Sequence, residues 1–296
     1  MFTARTAAMI TMIMHTIITT TIMRTSTMIM VTSTTTTMPM RMEIMTITTT
    51  ERHVAGDVLP SEPSALRDDG VLMLGVWLSP AFPVGGFTYS HGLEWAIEDG
   101  SVTSAPMLEA WLGDVLQHGA GRNDAILFAH VWRAVRDDDL AKLAETVELA
   151  DAFQPTRERR LEASAQGAAF AKAIGDTWSN DPFDRVTAAL IAHFGTIPWT
   201  YATAVAVATA SHDLALRPAL SAFLQAFAAN VISAGVRAIP LGQTEGLRIL
   251  SRVTPQLFAI ADAAISATLD DLGGAAIRAD IASMRHETQY TRLFRS

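Results

Sequence analysis

SAPMLEAWLGDVLQHG, residues 104–119, carries one periodicity and no other. Leu108, Trp111, Leu112, Val115 and Leu116 recur at the i, i+3, i+4, i+7 and i+8 spacing of a single helical face. Ser104 stands where a side chain can cap the helix start, and Gly119 stands where a helix ends. This spacing predicts an amphipathic helix that buries its stripe against other helices.

Working outward, the same grammar repeats. Asn123 is read as opening DAILFAHVWRAV, with Leu127, Phe128, Val131, Trp132 and Val135 as its stripe, and Asp138 or Asp139 as opening LAKLAETVELADAF. Thr156 precedes RERRLEASAQGAAFAKAIG. Asp181-Pro182 and Thr254-Pro255 each read as a cap followed by a proline at the first helical position, where its missing N–H costs nothing. YATAVAVATAS and ALSAFLQAFAANVISAGVRA are apolar nearly all round and are expected to be buried central helices. Short alternating β-branched runs between turn pairs are missing. The expectation is an all-α protein, a single compact helical bundle domain of short helices spanning residues 67–296.

Residues 1–66 read differently. Eleven of the 14 methionines lie in the first 45 residues, within a Thr/Met/Ile low-complexity run interrupted too often by threonine to give about 18 uninterrupted apolar positions. The expectation is an unstructured low-complexity extension. The whole chain carries 22 basic and 30 acidic side chains; removing the three Arg and one Glu of residues 1–50 leaves 19 and 29, a net charge of −10. Such a body lacks the cations that replace phosphate counterions, so nucleic acid is not an expected partner, nor is a membrane. The absence of cysteine excludes disulfides, thiolate metal sites and thiol nucleophiles, and agrees with a cytoplasmic location.

Signatures of catalysis are absent. There is no GxxxxGK[ST] phosphate loop, no HExxH, no ExxH pair of a di-iron bundle, and GAGRND (residues 119–124) lacks the preceding strand of a dinucleotide loop. His130 borders an apolar stripe and reads as a hydrogen-bonded boundary residue.

LSPAFPVGGFTYSHGLE, residues 78–94, combines stiffening prolines with Gly85-Gly86, which permit positive φ, ahead of a helix read over FTYSHGLEWAIEDG. On that helix His91 and Glu94 share a face at i and i+3, whereas Ser90 lacks a base on its own side. Two readings stay open: a close-approach surface for another protein, or packing against its own body. Glu158, Glu162 and Gln166 form an i, i+4, i+8 stripe with unfavourable like-charge spacing, partly offset by Arg159. The C-terminal RHETQYTRLFRS sets Arg285, Arg292 and Arg295 beside Tyr290 and Phe294, the residue types that anchor protein contacts, and is read as a docking tail.

LSPAFPVGGFTYSHGLE, ANVISAGVRAIPLGQTEGLRIL and MRHETQYTRLFRS, in this order, resemble the urease accessory protein UreF family, with a weaker match through Glu158, Arg160, Glu162, Gln166, Gly167 and Phe170. The resemblance spans about Leu72 to Ser296. It implies a non-enzymatic all-α protein, usually a homodimer, that binds UreD (also called UreH) and the GTPase UreG. That complex delivers nickel to the dinickel centre of apo-urease in a GTP-dependent step. No tightly bound cofactor is implied; the complex handles the nickel. An alternative is a GTPase-activating or fidelity role toward UreG, and a more distant one is a helical metalloenzyme using His91 and Glu94. By motif match the partner-binding positions are Phe87, Tyr89, His91 and Glu94, then Arg285, His286, Glu287, Tyr290, Arg292, Phe294, Arg295 and Ser296, with Arg237 and Gln243 able to line a partner surface. Deleting Arg285 to Ser296 is expected to leave helicity intact while abolishing UreD binding.

Overall fold

A computed structural model describes residues 68–296; the low-complexity reading of residues 1–66 lies outside the described residues. The described chain is helical throughout, with no strand among the described residues. In order the helices are α1 (Asp68–Trp77), α2 (Leu93–Glu98), α3 (Ala105–His118), α4 (Ala120–Arg136), α5 (Leu140–Ala152), α6 (Arg157–Thr177), α7 (Asp181–Phe194), α8 (Tyr201–Ser211), α9 (Leu216–Ala238), α10 (Gln243–Ser266) and α11 (Ile277–His286). One-turn 3₁₀ helices stand at Gly86–Thr88 and Leu269–Asp271.

The centre of the bundle is α8. Every residue from Ala202 to Ser211 is buried, and α4, α6, α7 and α9 pack around it. Alanine, valine and threonine suit that position because short side chains let neighbouring backbones approach. Its threonines keep their hydroxyls satisfied: Thr203 donates to Thr200 O at 3.0 Å and Thr209 to Val205 O at 2.9 Å. Thr200 and Thr203 form a reciprocal cap at its start. Gly167 of α6 is the point of closest approach, since a Cβ there would stand 2.5 Å from the Thr200 carbonyl carbon.

The stripe on α3 is buried as its spacing predicts, through Leu108, Trp111, Leu112, Val115 and Leu116. Asp139 and Thr156 cap α5 and α6, accepting from Lys142 N at 3.0 Å and Arg159 N at 3.1 Å. His130 faces the Ala267 carbonyl from Nε2 at 3.0 Å, a boundary residue as read.

Several local expectations are corrected. The hydroxyl of Ser104 makes no capping bond. Asn123 does not open α4, which starts three residues earlier directly after Gly119; Asn123 is buried and accepts from Gly273 N at 3.2 Å. Asn180, not Asp181, caps α7 through Phe183 N at 2.9 Å. Pro255 lies inside α10 on its exposed face, where the Ser251 carbonyl that would accept its missing N–H is also exposed. Helix α9 is less enclosed than its composition suggests, because Ala222, Phe227, Asn230 and Ser233 are only half-buried. Among the described residues it is the one helix long and apolar enough to cross a membrane, and 56% of its most apolar stretch is buried, as in a core helix.

Candidate functional site

The segment 85–94 is not the helix read from Phe87 onward. Gly85 takes a left-handed φ of 71°, a single 3₁₀ turn follows, Tyr89 is extended, and His91 and Gly92 both adopt left-handed φ, 60° and 76°. Only then does α2 begin. Gly92 has a further reason to be glycine, since α11 lies so close that a Cβ would stand 2.9 Å from Ser283 N. His91 and Glu94 therefore do not share a helical face. The irregular backbone sends His91 into the body and leaves Glu94 at the first turn of α2, facing the end of α11 and the C-terminal tail.

The tail is folded back onto this segment. Glu94 accepts from two successive backbone amides, Leu293 N at 2.5 Å and Phe294 N at 2.8 Å. Ser296 O accepts from Ser90 N and Ser90 Oγ, both at 2.6 Å, and Arg295 N donates to Thr88 O at 2.8 Å. Ser296 Oγ donates to Glu162 at 2.9 Å, and Arg292 pairs with Glu158 at 3.2 Å. His286, fully buried at the end of α11, stands between Glu158 (2.7 Å) and Glu94 (3.0 Å). The guanidinium of Arg237 lies 3.6 Å from the Phe87 ring centroid and 4.5 Å from that of Phe294, and its Nη1 donates to Phe87 O at 2.7 Å. Arg295 sits over Tyr89 at 5.9 Å, and burial pushes the Tyr89 hydroxyl upward.

Of the two readings left open for residues 78–94, packing against its own body thus describes most of the side chains. Tyr89, His91, Glu94, His286, Phe294 and Ser296 are buried inside the chain itself, and Arg237 is half-buried between two rings. What remains outside is Tyr290, fully exposed, with Leu293 at 66% and Phe87 at 61%, together with Arg285, Arg292 and Arg295. Glu287 is half-buried beside them. Gln243, the exposed first residue of α10, takes no part in these contacts.

Beneath the tail lies a buried charged set that the composition hides. Glu158, Arg159, Glu162 and Gln166 are all buried. The like-charge stripe is tolerable because its carboxylates diverge: Glu158 turns to His286 and Arg292, while Glu162 pairs with Arg159 and accepts from Gln166 Nε2 at 3.3 Å. Burial opposes the Glu162 charge, yet Arg159 and His91 hold its carboxyl down at about 2. His91, 3.7 Å from Glu162, is pushed down to about 4 by burial and by the Arg159 charge, so its ring is neutral at pH 7. Burial raises Asp124 to about 6, with Glu162 adding to the shift and Arg159 opposing it. Asp124 and Arg159 line two cavities at once. One, about 260 Å³, runs between α4, α6 and α11; the other, about 640 Å³, opens beside α9 under Leu74, Leu78, Val84 and Phe87. Among the described residues no group of three or more His, Asp or Glu side chains could hold a metal ion.

Sequence reasoning missed Glu158, Arg159 and Glu162 as members of this site. The spacing was a weak signal, since like charges at i and i+4 cost only a few tenths of a kcal/mol on an exposed helix and do not by themselves mark a buried site.

A family model described as UreF matches residues 102–254. The urease accessory protein UreF of Rhodopseudomonas palustris (strain BisB5) is 49% identical over 233 residues, covering 79% of this chain and 94% of that protein. That of Bradyrhizobium diazoefficiens is 47% identical over 252 residues, 85% of this chain and 100% of that one. That of Xanthobacter autotrophicus is 45% identical over 242 residues, with coverages of 82% and 98%. With more than half the chain matched by the family model and near-complete alignment to such relatives, this chain belongs to the UreF family of urease accessory proteins.

Proposed function

We propose that this accessory protein is a non-enzymatic nickel-insertion chaperone. It acts as the scaffold of a UreD/UreF/UreG complex that drives GTP-dependent assembly of the dinickel centre of apo-urease, as a homodimer in the cytoplasm. The observation that carries this reading is the tail. A protein of net charge −8 fixes an arginine- and aromatic-bearing segment onto its own body by buried carboxylates, and thereby holds Leu293 outward, on the same face as exposed Phe87 and next to exposed Tyr290 in the chain. Aromatic and arginine side chains on a preorganised frame are what a protein partner binds with least entropic cost.

Nickel is cargo in this scheme. With no cysteine in the sequence, the chain offers no thiolate to hold the ion, so its transfer relies on partner ligands or on weak carboxylate and imidazole contacts along the way. Isothermal titration of the isolated protein with nickel should reveal no sub-micromolar site. In cells lacking the chain, urease should accumulate as apo-enzyme and regain activity when the chain is returned. A sub-micromolar nickel site in the isolated protein, or fully loaded urease without it, would overturn the reading. A second reading, control of the UreG GTPase, is favoured by Arg285, an exposed arginine in the last turn of α11 just ahead of the tail. A GTPase assay with and without this chain separates it from a passive scaffold.

A further inference from the structure

The environment of His286 has a consequence for when the tail is held. Its two ring nitrogens face carboxylates on opposite sides, Nδ1 toward Glu158 of α6 at 2.7 Å and Nε2 toward Glu94 of α2 at 3.0 Å. A neutral imidazole has one N–H and one lone pair. Satisfying both contacts therefore takes one more proton than neutral His286 with two carboxylates can provide. Whether that proton sits on the ring or on a facing carboxyl, it belongs to the triad as a set. Without it, a lone pair points at a buried carboxylate oxygen.

The same two carboxylates hold the tail. Glu94 takes the amides of Leu293 and Phe294, and Glu158 takes Arg292. The other charged side chains around Glu158 are Arg157 of α6, Glu287 after α11 and Arg295 of the tail, which line one pocket with it and Arg292; Glu287 pushes the Glu158 carboxyl upward, adding to burial, while His286 and Arg292 oppose that shift. Clamping the ring and clamping the tail are thus one arrangement of atoms.

We propose that Glu94, His286 and Glu158 form a proton-dependent latch that docks residues 292–296 on the body and releases them as the shared proton is lost. Docking takes up a proton that the open, hydrated groups do not need. It is therefore favoured as pH falls toward mild acidity and opposed as pH rises. The latch stands on the geometry of this chain alone, whatever partner reads the surface, and it sets when Tyr290 and Leu293 are presented.

Amide exchange at Leu293 and Phe294 in the full chain tests this, with rates divided by their intrinsic values, across about pH 5 to 8, the range in which an ordinary imidazole changes charge. Protection at both amides should fall at least about tenfold with rising pH, while the α8 amides stay protected. In Glu158→Gln, the carboxamide can donate to a neutral ring at Nδ1, so protection should persist at the top of the range and lose its pH dependence. Constant protection across the range in the unmodified chain overturns the latch. So does a Glu158→Gln variant that follows the same pH curve. Should the variant fail to fold, the titration of the unmodified chain still decides.

Discussion

Arg159 and Glu162 form a buried ion pair one helical turn apart, and its charges modify the shifts that burial imposes on His91 and Asp124. Replacing Arg159 with methionine leaves Glu162 buried without its cation and should cost about 3–5 kcal/mol in urea unfolding at pH 7. Two neighbours respond to pH in opposite senses. His91, lowered from 6.5 to about 4, favours the folded state above 6.5, and that contribution is lost as pH falls toward 4. Asp124, raised from 3.8 to about 6, favours it below 3.8, and that contribution is lost as pH rises through 6. The two nearly cancel in mildly acidic solution. Asp124→Asn should therefore raise stability at pH 7 by about 1–3 kcal/mol and uncover a loss between pH 6.5 and 4, read from urea midpoints at each pH. A stability profile unchanged by the substitution would contradict this assignment. Little of this was legible beforehand. The sequence shows Glu158, Glu162 and Gln166 on one stripe with Arg159 as a local offset, and the Arg159–Glu162 pair forms; that Glu158 meets His286 and Arg292 depends on α11 and the tail, more than 100 residues downstream.

At the scale of elements, most of the helical grammar was legible because caps and apolar stripes are local properties. Two of the misreadings, at Asn123 and after Gly86, share a cause: tertiary contacts replaced a local signal. Asn123 is recruited by Gly273, and so opens no helix. Pro255 sits where the helix surface can leave a carbonyl to water, so it does not end α10. The segment after Gly86 runs into the helical LEWAIE of α2, but its residues are weak helix formers, and Ser90, His91 and Gly92 bend to receive the tail and α11, which no periodicity records. Close packing at α8 gives a paired prediction. Gly167→Ala forces a Cβ against the Thr200 backbone and should destabilise by at least about 2 kcal/mol. Gly113→Ala, in α3 with only the Gln256 side chain within 4.0 Å, should be neutral or stabilising by about 0.5–1 kcal/mol. Thermal melts of the two variants check both, and equal effects would place the helix contact elsewhere.

For the molecule as a whole, the tail is part of the body. Removing Arg285 to Ser296 strips the partners from Glu94 and Glu158, so a loss of stability of at least about 3 kcal/mol should accompany any loss of binding. That deletion is therefore a poor test of docking, although the sequence alone recommends it. The all-α bundle and the family were legible in three separated motifs. The division of each motif into inward and outward side chains was not, because Phe294 and Leu293 are equally apolar neighbours and only the fold separates them. The outward pair is the better probe. Binding of UreD to the Tyr290→Ser/Leu293→Ser double variant, compared with the unmodified chain at matched pH, tests the docking surface directly. The account predicts affinity at least tenfold weaker, about 1.4 kcal/mol, with an unchanged melting temperature. Equal affinity in a folded variant would contradict it.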